Sequence, residues 1–304
     1  MTATDDVFDR SNGGFRCGLV AIVGRPNVGK STLVNHLVGA RVTITSRKAQ
    51  TTRHRVTGIA TTPEAQFVFV DTPGFQTKHR SRLNDRMNRT VTQSIADVDA
   101  AIVVVEAGRT TDADRAVIRL LPAGTPALAA QNKVDRLKDR NALLPQMAEL
   151  AALHPFAAIV PVSAEKGEGL DALLVETGKL LPIGGPLFDD EAITDRDERF
   201  LASEFVREKI FRLLGEEVPY ETAVTIERFA HEGPIRRIAA TVYVDRDNQR
   251  GILLGAGGAK MKAIASAARA DMERLFGGPV FLEVHVRVKR GWADDEALLT
   301  RFGY

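Results

Sequence analysis

The 304-residue sequence predicts two folded domains: a doubly wound α/β domain on a mostly parallel sheet, then a smaller α+β domain. Two observations predict the first. Short Val/Ile/Ala runs alternate with helical stretches from about Phe15 to Leu181, and Gly24-Arg25-Pro26-Asn27-Val28-Gly29-Lys30-Ser31 fits the phosphate-binding pattern G-x-x-x-x-G-K-[ST]. A third predicts the second domain. After the breaker cluster Pro182-Ile183-Gly184-Gly185-Pro186 and the acidic run Asp189-Asp190-Glu191, the pattern becomes helix, two strands, two helices and a strand. The expected divisions are a disordered N-terminus at 1–14, a nucleotide domain at 15–181, a linker at 182–196, a second domain at 197–290 and a tail at 291–304.

The strand candidates of the first domain are Cys17 to Val23, Val56 to Ala60, Phe67 to Val70, Ala101 to Val105, Ala127 to Ala130 and Ala157 to Val162. Ligands in such sheets gather at the carboxyl ends of the strands. The phosphate loop lies there, between the first strand and a helix through Leu33 to Val38, so backbone N–H groups and a helix N-terminus are offered to an anion. Asn27, Val28, Gly29, Lys30, Ser31 and Thr32 are its candidate contacts. After Phe67 to Val70 comes Asp71-Thr72-Pro73-Gly74, a D-x-x-G element in which Asp71 can hold magnesium through water and the Gly74 N–H can reach a γ-phosphate. After Ala127 to Ala130 comes Asn132-Lys133-Val134-Asp135, an N-K-x-D element. Asp135 presents two acceptor oxygens to the N1–H and N2–H₂ donors of guanine; adenine lacks that pair, and losing such a contact costs a factor of roughly 10⁴. Ser163-Ala164 follows the last strand, with backbone that can cover the guanine O6. Singly these read as turns or caps; in this order, at successive strand ends, they read as a GTP site.

Composition narrows the setting less. With 41 Lys+Arg against 39 Asp+Glu, any nucleic-acid surface must be a local patch. The one cysteine, Cys17, excludes an internal disulfide and fits a reducing compartment. No apolar run is long enough to span a bilayer, and the polar start Met1 to Asp6 is not that of a signal peptide. A cytoplasmic monomer is expected, with a peripheral position on the inner face of the cell membrane as the second reading.

With these motifs in place, Ile44-Thr45-Ser46-Arg47-Lys48-Ala49-Gln50-Thr51-Thr52-Arg53-His54-Arg55 resembles switch I of the Era GTPases. The resemblance implies that Thr52, or alternatively Thr51, joins Ser31 as a hydroxyl ligand to magnesium. With Lys30 on the β- and γ-phosphates and Gly74 at the γ-phosphate, positioning and charge neutralisation carry the hydrolysis. Where many GTPases follow Gly74 with a water-orienting Gln, this chain has Phe75, and Gln76 comes one residue later. Relatives of this family include potassium-stimulated enzymes in which the Asn of G-x-P-N-x-G-K-S ligates the cation; Asn27 matches it, either in that role or as a loop-stabilising side chain.

The second domain opens with a helix whose Thr194 and Asp197 have capping-box spacing and whose apolar side is Leu201, Phe205, Val206, Ile210, Leu213 and Leu214. Strands at about Ala223 to Phe229 and Ile238 to Val244 follow, then a short helix, Gly255-Ala256-Gly257-Gly258, a helix over about Ala259 to Leu275, and an alternating strand from Val280. This order resembles a type II KH domain, in which G-x-x-G lets N–H groups approach the backbone of about four nucleotides. Gly255, Ala256, Gly257, Gly258, Lys260 and Lys262 are the RNA-binding candidates. The tail, Val288 to Glu296 and Leu299 to Tyr304, also resembles Era. Many KH domains carry a basic residue inside G-x-x-G; here Ala256 and Gly257 stand there, so one phosphate contact is missing. Basic residues cluster in both switches, Arg41, Arg47, Lys48, Arg53 and Arg55, then Lys78, Arg80, Arg82, Arg86 and Arg89, either as a solvated face or as a contact to RNA or acidic lipid.

The resemblance implies a GTP-hydrolysing switch whose RNA client is the 3′ end of small-subunit ribosomal RNA (16S rRNA) during ribosome assembly. Two other classes compete: a membrane-surface regulatory GTPase in growth or cell-cycle control, and a passive RNA-binding protein whose nucleotide site only stabilises the fold.

Overall fold

The structure, a computed structural model, describes residues 14–46, 48, 51–75, 82–215 and 218–304. The expected arm over residues 1–13, and Arg47, Gln76, Lys78 and Arg80, lie outside the described residues. The first domain runs β1 (Arg16–Val23), α1 (Lys30–Val38), β2 (Val56–Thr61), β3 (Ala65–Asp71), α2 (Arg82–Ala96), β4 (Ala100–Glu106), α3 (Asp112–Ile118), β5 (Ala127–Asn132), α4 (Leu143–Leu153), β6 (Ala158–Val162) and α5 (Leu170–Leu180). The six strands form one sheet in the order β2-β3-β1-β4-β5-β6, parallel except for the β2–β3 pair. Continuous apolar strands follow from helices on both faces: Val20, Ile22, Val104 and Leu128 face one cluster, Ala21, Val23, Val103 and Ala129 the other. Each such buried Val or Ile contributes about 1.5–3 kcal/mol.

The second domain runs α6 (Glu198–Leu213), β7 (Thr222–Glu232), β8 (Ile235–Val244), α7 (Asp247–Leu254), α8 (Ala259–Phe276), β9 (Val280–Val288) and the tail helix α9 (Glu296–Arg301). Its sheet is β7-β8-β9, with β7–β8 antiparallel and β8–β9 parallel. Helices α6 and α8 pack Leu201, Phe205, Ile264, Ala268 and Met272 against Ile238, Ala240 and Val242.

Three local expectations are corrected. The cap of α6 is Asp197 alone, which accepts the Phe200 N–H at 2.7 Å; Thr194 instead donates its hydroxyl to Thr57 O at 2.6 Å. Leu213, the last residue of α6, is 52% exposed, and the polar-looking positions Glu204, Arg207 and Glu208 are buried instead. The segment 182–196 is no free linker. It pairs Ile183 with Arg16 and Thr194 with Gly58, and Gln66 binds the N–H groups of Leu187 and Phe188 at 2.8 and 2.9 Å. The tail is likewise structural: Trp292 is fully buried, in a cluster with Leu83 and Met87 of α2 and Tyr243 of β8.

Candidate functional site

The chain leaves β1 at Val23 and enters α1 at Lys30, so the phosphate loop turns sharply in between. Asn27 (φ 64) and Gly29 (φ 102) take left-handed backbone to do it. A Cβ on Gly29 would lie 2.3 Å from Asn132 Nδ2, so only glycine fits there. A Cβ on Gly74 would lie 2.9 Å from the Pro26 Cα, which shows the D-x-x-G element lying directly against the phosphate loop. Helix α1 starts without a side-chain cap at Gly29, and its first-turn N–H groups are the donors that receive a phosphate.

Lys30 is 6% exposed, with Nζ donating to Gly24 O at 2.9 Å and Arg25 O at 3.0 Å. Burial lowers its amine to about 8, against the opposing pull of the Asp71 carboxylate. Asp71, at the end of β3, is raised by burial to about 6 although Lys30 and the Ser31 hydroxyl favour its charge. Ser31 Oγ donates to Asp71 Oδ2 at 2.8 Å and lies 2.7 Å from Thr52 Oγ1, itself 3.4 Å from the same carboxylate oxygen. Asp71 Oδ1 is buried and has no hydrogen-bond partner among the described residues. Two hydroxyls and a carboxylate with an unpaired oxygen form a hard donor set of the kind magnesium takes. Thr51 is not brought there: its hydroxyl donates to Lys48 O at 2.8 Å and meets Ser46 Oγ at 2.9 Å. Lys30, Ser31, Thr51 and Thr52, with Asn27, Thr32, Ile44, Thr45 and Gly74, line an open cleft.

The base-side elements are tied to the same loop. Asn132 Nδ2 donates to Val28 O at 2.8 Å, and its Oδ1 accepts from Lys133 N at 2.8 Å and Ala164 N at 2.9 Å. Lys133 takes φ 70 and donates Nζ to Asn27 O at 2.6 Å. Ser163 Oγ donates to Asp135 Oδ1 at 2.6 Å, orienting the carboxylate. Sequence reasoning gave the Ser163-Ala164 backbone to the base, but here the Ala164 N–H is engaged by Asn132 and the Ser163 N–H by Glu168 O at 2.9 Å. One residue was missed. Glu106, at the end of β4, binds Arg25 Nη2 at 2.8 Å and lies 3.5 Å from Lys133 Nζ, joining the phosphate loop to the N-K-x-D element. The rule that sites collect at strand carboxyl ends would have found it.

In the second domain Gly255, Gly257 and Gly258 all take positive φ, and a Cβ on Gly257 or Gly258 would meet nothing within 4 Å. The turn is open, and Ala256, Gly257, Lys260 and Lys262 are exposed. A Cβ on Gly255 would lie 2.8 Å from Lys260 Cγ, so the lysine stem covers the turn's first residue. Gly258 starts α8 with no side-chain cap. The basic residues of the switches divide. Arg41 pairs with Glu208 and Asp271, Lys48 with the Leu214 and Gly215 carbonyls, and Arg86 with Glu296 at 2.7 Å, all in the second domain or tail; Arg82 and Arg89 are exposed. Among the described residues no helix is long and apolar enough to cross a membrane.

Comparison with known proteins agrees with this geometry. Residues 19–133 match the 50S ribosome-binding GTPase family and residues 217–293 the KH domain family. GTPase Era of Bordetella avium is 52% identical over 294 residues, 97% of this chain and 99% of that protein; GTPase Era of Nitrosomonas eutropha is 53% identical with the same shares. Two crystal structures superpose with a TM-score of 0.92 at 38% identity, covering 95% of this chain and 99% of theirs. One is a point variant of Aquifex aeolicus Era bound to GDP and AlF₄⁻, the other Era with MgGDPNP and nucleotides 1506–1542 of 16S ribosomal RNA. At this identity over nearly its whole length, with both sites in their places, the chain belongs to the Era GTPase family.

Proposed function

We propose that the chain is a GTP-driven switch whose KH domain binds the 3′ end of small-subunit ribosomal RNA during assembly of that subunit. The observation that carries it is the joining of two complete sites in one chain: Ser31, Thr52 and Asp71 within hydrogen-bond reach of one another beside Lys30, and an open G-x-x-G turn at the start of α8. The Era crystal structure holding MgGDPNP and a 16S ribosomal RNA segment supports the reading.

Lys30, with its charge desolvated, meets the β- and γ-phosphates and stabilises the charge that shifts among their oxygens. Asp135 accepts from guanine, and Asn132 and Ser163 hold it in register with the phosphate loop. Ser31, Thr52 and Asp71 are the residues that would hold magnesium, which when bound would neutralise β- and γ-phosphate charge. Phe75 is partly buried against the apolar cluster that includes Val91 and Ile95, so its position contributes no water-orienting group. We therefore assign Asn27, exposed at the cleft, as the side-chain ligand of potassium, in the role for which arginine fingers supply roughly 10³ to 10⁵ in rate. Equal GTP turnover in potassium and in sodium would remove that assignment.

The test of the whole reading is binding of a single-stranded oligonucleotide copying the 3′ end of small-subunit ribosomal RNA, at fixed salt, with GDP and with a non-hydrolysable GTP analogue. Tight binding with the analogue alone is expected. Weak binding in both states overturns the ribosomal client, and vesicle sedimentation then tests the membrane-surface reading.

A further inference from the structure

We propose that Arg53 is a positioning residue through which docking of the KH domain sets the magnesium-side hydroxyl of Thr52. The proposal rests on the reading of Thr52 as a metal ligand. Arg53 adjoins Thr52 in sequence, yet its guanidinium reaches away from the nucleotide domain. Among the described residues its hydrogen bonds all cross to the second domain and tail: Nη1 to Thr222 O at 2.7 Å and the Tyr304 hydroxyl at 3.1 Å, Nη2 to Pro219 O at 3.1 Å and Tyr220 O at 2.7 Å. It is 3% exposed, and the rings of Phe211, Trp292 and Tyr304 stand 5.6 to 5.9 Å from its central carbon. His54 continues the anchor by stacking on Tyr304 at 4.6 Å.

A cation this deeply buried is tolerated only where acceptors surround it. All of those acceptors belong to the other domain, so Arg53 must follow that domain or be left buried and unpaired. Its neighbour Thr52 therefore has two masters. Its hydroxyl sits 2.7 Å from Ser31 Oγ, while the next backbone unit is fixed by the KH side. Thr45, earlier in the same segment, is held the same way: Glu208 of α6 accepts its N–H at 2.9 Å, and Arg212 donates to its carbonyl at 3.0 Å. The segment that completes the metal site is a piece of the domain interface. GDP, with no γ-phosphate, draws on the phosphate loop and the N-K-x-D element and does not need Thr52.

The test compares full-length wild type, Arg53→Lys, Arg53→Ala and Thr52→Val. It reads the magnesium concentration that half-saturates binding of a fluorescent non-hydrolysable GTP analogue, and the affinity for GDP. Arg53→Lys keeps a buried ammonium but cannot serve four acceptors in a fork. It is expected to raise the half-saturating magnesium concentration about tenfold, toward that of Thr52→Val, with GDP affinity unchanged. Tyr304→Phe, which removes one hydroxyl contact and retains the ring, is expected to move the same midpoint by less and serves should Arg53→Ala fail to fold. If Thr52→Val shifts the midpoint and Arg53→Lys does not, the positioning role is overturned and the Thr52 reading stands. If Thr52→Val itself shifts nothing, both fall. Proportional loss of GDP and analogue binding in Arg53→Lys also overturns the proposal, since it would show a general structural role.

Discussion

Replacing Gly29 with alanine tests the claim that phosphate and base elements form one rigid unit. The backbone there has φ 102, which strains any L side chain by about 1–2 kcal/mol. The new methyl would stand 2.3 Å from Asn132 Nδ2, so the amide must move. Its three hydrogen bonds, to Val28 O, Lys133 N and Ala164 N, contribute about 0.5–1.5 kcal/mol each. Together these give a destabilisation of about 3–6 kcal/mol, a loss on the order of 10 °C in Tm. Because Asn132 holds both loops, GDP affinity should fall at least about a hundredfold, the equivalent of ~2.7 kcal/mol. Gly39→Ala is the control: φ is +73 there but nothing lies within 4 Å of the added methyl, so only the strain remains. Thermal unfolding of the nucleotide-free protein and equilibrium binding of fluorescent GDP measure both effects. If the two variants behave alike, the Asn132 clash is not what makes Gly29 necessary.

Three further outcomes follow from other parts of the structure. Glu204 and Arg207 form a buried bidentate pair at 2.6 and 2.7 Å; burial opposes the Glu204 charge but Arg207 outweighs it and holds the carboxyl below its usual 4.5. The stability so gained is present above pH 4.5 and lost as pH falls through the lower folded value, so Glu204→Gln should cost about 3–5 kcal/mol at neutral pH and flatten the acid limb of a denaturation series. Trp292→Ala removes a fully buried ring whose Nε1 donates to Glu221 O at 3.0 Å, and should cost about 3–5 kcal/mol in chemical denaturation while loosening α2 from the second domain. Ala256→Lys restores a charge inside the open turn; it should tighten RNA binding and steepen the plot of log K against log salt by about 0.7.

The nucleotide site was legible because its motifs obey two local rules, the carboxyl-end rule for strands and the need for glycine where backbone comes close. Gly29 and Asp71 could be named from spacing alone. Other features depend on partners distant in sequence. Arg41, Lys48 and Arg86 read as a solvated or RNA-facing cluster, yet their partners lie 166 to 230 positions away, in α6 or just after it, in α8 and in the tail. Thr194 has the spacing of a cap but lies along β2, where Thr57 O accepts its hydroxyl, leaving Asp197 to cap α6 alone. Trp292 sits in a charged stretch with no apolar periodicity; its burial comes from α2 and β8 closing over it. Local pattern does not encode which of two domains a side chain will meet.

That division has a consequence for the RNA surface. Cations engaged by carboxylates or backbone carbonyls across the domain interface are not available to phosphates, so in this arrangement Arg41, Lys48, Arg53 and Arg86 add nothing to counterion release. At the G-x-x-G turn the charge comes from Lys260 and Lys262 and from the uncapped N-terminus of α8, and the Lys260 stem lies over Gly255. Two lysines on a single strand correspond to a salt slope of about −1.4. A measured slope close to that value would mean that the backbone cradle and base stacking carry the affinity; one several units steeper would mean that the RNA continues onto other exposed basic side chains, such as Arg250 and Arg290, and that the turn is only the start of its path.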